Sequence, residues 1–268
     1  MASDRFRLAS YPTPRLRHAA SSTTAAHTMA PRKILLLGAT GPAGIATLER
    51  LLSIPSITVI VYARTPSRIP AHLRSHPQLT LLPPGTLSDT TSLRAAVAQK
   101  PDVIISLLGP AQHDFLHWAN PFSTETKQPV FADAYRVIVD AMKEYEVKRI
   151  YVMGTVSISD QKDKSSLASA AMVWAVWSVI HTAWKNVVAI GAVFDEIPKE
   201  AGIEWTVFRL GNVTDGELQT PAVAGYVGDG KTTSRVRRSE LADWLVKQAT
   251  SEVHEWVGEK PVVSSAAK

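Results

Sequence analysis

The segment from Gly38 to Gly44 has the residue types and spacing of a phosphate-binding turn. Three glycines recur at intervals of three, with a proline and small residues between them, in the order Gly38-Ala39-Thr40-Gly41-Pro42-Ala43-Gly44. The first glycine allows a tight turn, the second lets backbone N–H groups approach an anion, and the third lets the next helix pack closely on the strand. Free N–H groups at the helix start attract phosphate, and Pro42 suits a position that needs no N–H donor. The segment predicts a site for the pyrophosphate of a dinucleotide; a glycine turn without a ligand is the alternative.

A second candidate for ligand binding is Arg64, which follows the apolar, β-branched run Ile57–Tyr62. Neither Asp nor Glu stands between Tyr62 and Arg68. An acidic residue there would accept hydrogen bonds from the ribose of NAD and repel a 2′-phosphate, whereas an arginine can bind that phosphate. The sequence therefore favours NADP over NAD. The alternative is that Arg64 and Arg68 only form a solvated charged turn.

The elements that would position these residues alternate regularly between strand and helix. Six apolar or β-branched runs are predicted to be strands: Ile34–Leu37, Ile57–Tyr62, Leu79–Leu82, Pro101–Gly109, Arg149–Met153 and Gly202–Arg209. Amphipathic stretches separate most of them, and a final helix is predicted near residue 238, with Ser239 as its cap. This order predicts an α/β fold with a doubly wound parallel Rossmann sheet. One domain is expected over residues 33–268, with a substrate-side segment from about residue 210.

Net charge separates the first 33 residues from the rest of the chain. They carry six cationic side chains and one acidic one, and the whole chain of 268 residues is also +5, so the remainder is neutral overall. A nucleic-acid partner is therefore not expected. Residues 1–32 are predicted to be a disordered basic leader, and the protein is expected to be cytoplasmic. The alternative is a mitochondrial protein whose leader is a transit peptide.

The uncharged run of residues 167–180 contains Trp174 and Trp177 but is short for a membrane span. It is predicted to be a buried helix or part of a homodimer interface, with interfacial membrane contact as the alternative. His113 and His117 have the spacing of a metal-binding pair, but they lack a nearby third ligand, so no metal site is expected. The chain has no cysteine, which excludes disulfides and a thiolate nucleophile.

Taken together, these motifs resemble the atypical or extended short-chain dehydrogenases/reductases, of the NmrA-like and flavin-reductase-like kind. The resemblance rests on Gly38–Gly44, Arg64, Gly109 after the fourth strand, Arg149–Thr155, and later landmarks at Gly202–Arg209 and Arg238–Leu245. It covers about residues 33 to 263. It implies NAD(P) binding, with Gly109 close to the cofactor, and an oxidoreductase activity on a small substrate.

The resemblance also suggests three catalytic residues. Members of this family commonly use a Ser or Thr, a Tyr, and a Lys four residues after the Tyr. Thr155 stands where the hydroxyl residue would be, but no Tyr-x-x-x-Lys follows it, and His181-Thr182-Ala183-Trp184-Lys185 occupies the corresponding place. Lys185 could bind the ribose and His181 could replace the Tyr as general acid. Alternatively, His181 and Lys185 only border an apolar helix.

The residues and the resemblance together predict an NADP-dependent oxidoreductase that acts by hydride transfer on a small substrate. The resemblance implies that this substrate is aromatic or conjugated and of secondary-metabolite type. The substrate pocket is expected between the Gly109–Pro121 loop, Thr155 and the Gly211–Gly230 segment. Two alternatives remain. One is a non-catalytic, NADP-sensing regulatory protein of NmrA type, and the other is an isomerase or dehydratase that retains its cofactor.

Overall fold

In the computed structural model, the chain is described over residues 31–109, 130–164 and 181–267. These residues form ten strands: β1 (Arg32–Leu37), β2 (Ile57–Tyr62), β3 (Leu79–Leu81), β4 (Val103–Ser106), β5 (Arg149–Thr155), β6 (Glu204–Leu210), β7 (Asn212–Thr214), β8 (Val223–Gly225), β9 (Arg235–Arg237) and β10 (Val262–Ser264). They also form six α-helices: α1 (Pro42–Leu52), α2 (Ala71–Arg74), α3 (Thr90–Val97), α4 (Val130–Tyr145), α5 (His181–Asp195) and α6 (Arg238–Thr250).

Eight of the strands form one sheet in the order β3-β2-β1-β4-β5-β6-β10-β8. All neighbours in it are parallel except β8, which runs antiparallel to β10 at the edge. Strands β7 and β9 form a separate parallel pair. The sheet order reverses direction between β1 and β4, which is where ligands bind in doubly wound folds. The predicted fold class is confirmed.

Two apolar clusters cover the two faces of this sheet. On one face, alternate residues of the central strands pack against α3, α4 and α5. On the other face, the intervening residues pack against α1 and α6. Because side chains of a strand point alternately to opposite faces, continuous apolar strands such as Ile34–Leu37 are buried on both sides. This burial makes the sheet a rigid base for the loops at its carboxyl edge.

The end of the chain differs most from the sequence-based prediction. The short strands β8 and β10 extend the main sheet, although their three-residue runs carry little periodic signal. The prediction that Ser239 caps the last helix is wrong. Helix α6 begins one residue earlier, and the Ser239 hydroxyl donates a hydrogen bond to the carbonyl of Gly216, 2.8 Å away. At the start of the helix, the Glu240 carboxylate accepts a hydrogen bond from the backbone N–H of Arg237.

Glu240 couples the stability of this end of the chain to pH. Its side chain is fully buried and also accepts hydrogen bonds from the guanidinium of Arg237 and the hydroxyl of Ser265. Burial raises the pKa of Glu240, but the hydrogen bonds from Ser265 and Arg237 outweigh it, so the pKa lies below its usual value. A lowered folded-state pKa stabilises the fold above the unfolded-state pKa, about 4.3 for glutamate, and this contribution disappears as pH falls through the folded-state pKa.

We expect Glu240→Gln to weaken the acid dependence of folding. The free energy of unfolding, measured by urea titration at pH 7 and pH 3, should differ less between the two pH values than in the unmodified protein. Glu217→Gln, at an exposed site, is the control and should leave that difference unchanged. An equal pH dependence in Glu240→Gln would contradict the assignment.

No helix among the described ranges is long and apolar enough to span a bilayer. The run 167–180, for which a buried, dimer-forming or interfacial helix is expected, lies outside the described residues. The leader up to residue 30 lies outside them as well.

Candidate cofactor-binding and active site

The glycine turn after β1 is built by close backbone approach. Gly38 has a φ of +79°, and a Cβ on it would lie 2.5 Å from the carbonyl oxygen of Leu107. A Cβ on Gly44 would lie 2.1 Å from the carbonyl oxygen of Gly38 and 2.8 Å from Cα of Ala39. No side chain fits at either position without a shift of the backbone. Two glycines are therefore required to bring the start of α1 against the end of β1.

The surroundings of Gly41 are less crowded than those of Gly38 and Gly44. Its backbone is extended, with φ −83° and ψ 163°, and among the described residues a Cβ on it would meet only the oxygen of Gly38, at 3.7 Å. It precedes α1 without a side-chain cap, and Pro42 is the first helical residue, as the sequence predicts. The N–H groups of Ala43 and Gly44 belong to the first turn of α1, where N–H groups have no intrahelical acceptor. Room beside Gly41 and free N–H groups fit the pyrophosphate of a dinucleotide.

Arg64 lies beside this turn. Strands β1 and β2 pair with Leu37 opposite Tyr62, so the glycine turn and the Ala63-Arg64 segment leave the sheet at the same level. Arg64 is exposed, and its side chain has no hydrogen bond or ion pair within the part of the chain that the structure describes. An unpaired guanidinium at this position is available to a phosphate. The described geometry is therefore compatible with the predicted role of Arg64.

The ends of β4 and β5 provide the neighbouring part of the edge. Gly109 follows β4, and a Cβ there would lie 2.8 Å from Cε of Met153. Thr155 ends β5 and is partly exposed, and its Oγ1 accepts a hydrogen bond from the N–H of Ser157 at 3.3 Å. The hydroxyl proton of Thr155 is then available to an acceptor such as a carbonyl oxygen. Gly109 and Thr155 thus both lie at the carboxyl edge of the sheet.

His181 and Lys185 occupy the first turn and a half of α5. Because α5 connects the parallel strands β5 and β6, its first turn lies at the carboxyl edge, on the same side of the sheet as Thr155. Their side chains lie outside the described residues, as do His113 and His117. Across the described ranges, no group of three or more His, Asp or Glu side chains could hold a metal ion.

A comparison with protein families identifies the chain. The NAD(P)H-binding family matches residues 38–252, which is most of the chain and includes the glycine turn. The protein belongs to this family. No sequence among the curated proteins matches it.

Solved structures show the same fold as this NAD(P)H-binding protein. A short-chain dehydrogenase/reductase from Veillonella parvula DSM 2008, in complex with NADP, is 16% identical with a TM-score of 0.67, over 87% of this chain and 94% of that one. Oxidoreductase ylbE from Lactococcus lactis is 15% identical with a TM-score of 0.60, over 87% and 90%. ChuY, an anaerobillin reductase from Escherichia coli O157:H7, is 18% identical with a TM-score of 0.58, over 87% and 97%. These structures confirm the fold that the resemblance implies, and the family match confirms the implied NAD(P) binding.

Two polar side-chain pairs of this NAD(P)H-binding protein, one fully buried and one partly buried, were not anticipated from its sequence. The hydroxyls of Ser106 and Tyr135 are 2.7 Å apart, at the end of β4 and in α4. Burial raises the pKa of Tyr135 far above its ordinary value, so this tyrosine is a neutral, inaccessible hydroxyl and does not replace the missing catalytic Tyr. The sequence signal for this pair was Ser106, a polar residue at the end of the otherwise apolar strand β4.

The second pair is Arg209 and Asp163. Arg209 is in β6 with a fully buried side chain, and its two terminal nitrogens donate to the two carboxylate oxygens of Asp163 at 2.6 and 2.8 Å. Burial raises the pKa of Asp163, but the hydrogen bond and charge of Arg209, with backbone N–H donors, hold it below its usual value. Asp163 is therefore ionised at neutral pH. An arginine in an apolar strand, Glu204–Leu210, was the sequence signal for a buried ion pair.

Proposed function

We propose that this protein is an NADP-dependent oxidoreductase that reduces or oxidises a small aromatic or conjugated substrate by hydride transfer. The observation that carries the proposal is the exposed Arg64, which has no partner among the described residues, beside a glycine turn whose close backbone contacts fit a dinucleotide. Membership of the NAD(P)H-binding family and the fold shared with an NADP complex support it.

In this proposal the phosphate-binding half of the site lies on β1 and β2. The N–H groups of Ala43 and Gly44, with Gly38, Thr40, Gly41 and Pro42, form the cradle for the pyrophosphate. Arg64 binds the 2′-phosphate by charge-assisted hydrogen bonds. Because Gly109 has no side chain, it leaves room for the nicotinamide half of the cofactor.

The catalytic half of the proposed site lies at the ends of β4 and β5 and the start of α5. A reduced nicotinamide bound there would supply the hydride. Thr155 donates a hydrogen bond to the carbonyl oxygen of the substrate, and His181, as imidazolium, donates a proton to that oxygen. Lys185 binds the ribose of the cofactor. Reduction of a carbonyl substrate would add one hydride to the carbonyl carbon and one proton to its oxygen, which would give an alcohol.

We expect Arg64→Ala to lower the preference for NADPH over NADH by about 10- to 100-fold, because a charge-assisted hydrogen bond contributes about 1.5–3 kcal/mol. Dissociation constants for both nucleotides, measured by calorimetry, provide the ratio. Arg74→Ala is the matched control, since Arg74 is also exposed, at the end of α2, and its side chain has no hydrogen bond or ion pair with any described residue. A ratio that is the same in Arg64→Ala and the unmodified protein would exclude Arg64 as the phosphate ligand.

The catalytic proposal is tested by following absorbance at 340 nm with NADPH and a panel of quinones, flavins and aromatic ketones. For an aromatic ketone that is turned over, we expect His181→Phe to lower kcat by about 10²- to 10⁴-fold, the usual contribution of a general acid. Affinity for NADPH should hardly change, since the pyrophosphate cradle is on other elements. Unchanged turnover in His181→Phe would show that the hydride passes without a proton from His181.

The second candidate function is a non-catalytic sensor of NADP. It is favoured by the absence of a Tyr-x-x-x-Lys motif downstream of Thr155. Tight binding of NADPH with no turnover of any acceptor in the panel would support the sensor and overturn the oxidoreductase.

A further inference from the structure

The turn that follows Thr155 is held from three sides. The Ile158 N–H donates to the carbonyl oxygen of Thr155 at 3.0 Å, which closes the turn. The Ile158 side chain packs under Gly154 and Gly191, where an added Cβ would lie 2.7 Å from its atoms. The carbonyl oxygen of Ile158 accepts a hydrogen bond from the buried guanidinium of Arg209 at 2.8 Å. The end of β5, helix α5 and β6 therefore meet at one short turn.

Arg209 and Asp163 extend this contact to the end of the chain. Besides Ile158 and Asp163, the guanidinium donates to the carbonyl oxygen of Lys260 at 2.6 Å. Each carboxylate oxygen of Asp163 accepts one further backbone N–H, from Asp160 at 2.9 Å and from Val227 at 3.0 Å. One ion pair thus ties three separate segments of the chain together.

The connected segments border the candidate catalytic edge. Residues 156–164 continue directly from Thr155, and the Lys164 N–H donates to the carbonyl oxygen of Val227 at 2.8 Å. A buried ion pair seldom adds net stability relative to well-packed apolar residues, because desolvation of the charges offsets their attraction. Its directional hydrogen bonds instead select one arrangement of the segments that they join.

We propose that the Arg209–Asp163 pair positions Thr155 and the substrate-side wall formed by residues 156–164 and 226–228. Neither residue touches the substrate. The inference rests on the proposed oxidoreductase function for its kinetic consequence, but its structural consequence can be measured without turnover.

Asp163→Asn is the first test. Both oxygens of Asp163 face N–H donors, so either orientation of the asparagine amide sets an NH₂ group against donors. In the cofactor-free protein, we expect hydrogen exchange to accelerate in residues 156–164 and 226–228. NADPH affinity should stay within about twofold, because β4 and β5 separate the glycine turn from β6. Misplacement of Thr155 should lower kcat by about 10- to 100-fold and raise KM for the acceptor.

Glu204→Gln is the matched control. Glu204 pairs with the buried Arg149 at 3.1 Å, between the amino ends of β6 and β5 and therefore at the opposite edge of the sheet from Thr155. It should lower the melting temperature without changing kcat or exchange in residues 156–164. The positioning role would be overturned if Glu204→Gln changed kcat and exchange as much as Asp163→Asn does. It would also be overturned if Asp163→Asn left the exchange rates unchanged.

The double variant Arg209→Met with Asp163→Leu separates positioning from stability. Apolar replacement of both partners leaves no unpaired buried charge. At a temperature where the double variant is folded, we expect kcat still to be low and exchange in residues 156–164 still to be fast, because the backbone groups that the pair holds have lost their partners. Restored kcat and exchange would refute the proposal. If the unmodified protein turns over no acceptor, the oxidoreductase proposal fails, and the exchange measurements alone decide the positioning role.

Discussion

Replacement of Gly44 by alanine is expected to weaken NADPH binding by about 100-fold or more, which corresponds to about 2.7 kcal/mol. The added Cβ would lie 2.1 Å from the carbonyl oxygen of Gly38. Because the opposing atoms are backbone, the start of α1 must move away from β1, and the N–H groups of its first turn move with it. Overpacking of this kind also costs about 1–3 kcal/mol of folding stability. Calorimetric titration with NADPH and urea denaturation measure the two effects.

The substitution Gly41→Ala tests cofactor binding independently of folding stability. The nearest atom that a Cβ there would meet in the described parts of the chain is the oxygen of Gly38, at 3.7 Å, and the backbone of Gly41 suits any residue. We therefore expect Gly41→Ala to unfold at the same urea concentration as the unmodified protein. We also expect it to bind NADPH at least about tenfold more weakly, because a methyl group in the space of the pyrophosphate needs to cost only about 1.4 kcal/mol of binding free energy for that effect. If Gly41→Ala bound NADPH normally, the pyrophosphate would not pass beside Gly41, and the proposed cofactor position would be wrong.

The sequence could indicate the half of the candidate site on β1 and β2 because the signals for it are local. A buried strand, three glycines at intervals of three and a proline suited to the start of a helix all lie within a dozen residues, and each has a direct physical meaning. Ile57–Tyr62 forms the predicted strand, and the parallel pairing of β1 and β2 then brings Arg64 level with the turn. The alternation of strands and helices along the chain likewise predicted a parallel sheet.

The substrate side was less predictable because it depends on distant contacts. Arg209 and Asp163 are 46 residues apart in the chain, and neither has a local motif that names its partner. Strands β8 and β10 have three residues each, too few for a periodicity to be recognised. Ser239 looked like a helix cap by residue type, but its hydroxyl donates to Gly216, which only the folded chain brings near.

The second large effect is expected at Phe194, near the end of α5. Its fully buried ring lies 5.5 Å from the ring of Tyr135 and 5.8 Å from that of Trp205, measured between centroids. Phe194 thus packs α5 onto both α4 and the sheet. Phe→Ala in a core costs about 3–5 kcal/mol, a large part of the 5–15 kcal/mol that usually separates folded from unfolded chains. We expect urea denaturation of Phe194→Ala to show a loss of that size.

Phe194→Ala should also lower turnover more than cofactor binding, because α5 carries His181 and Lys185 whereas the pyrophosphate cradle is on α1. Phe208→Ala is the matched control. Phe208 is equally buried in β6 and lies 5.9 Å from Trp244 of α6, on the opposite face of the sheet. At a temperature where both variants are folded, Phe208→Ala should retain the higher kcat although its stability falls by a similar amount. Equal kcat in the two variants would mean that the seating of α5 does not control the chemistry, and the assignment of His181 and Lys185 to the active site would lose its structural basis.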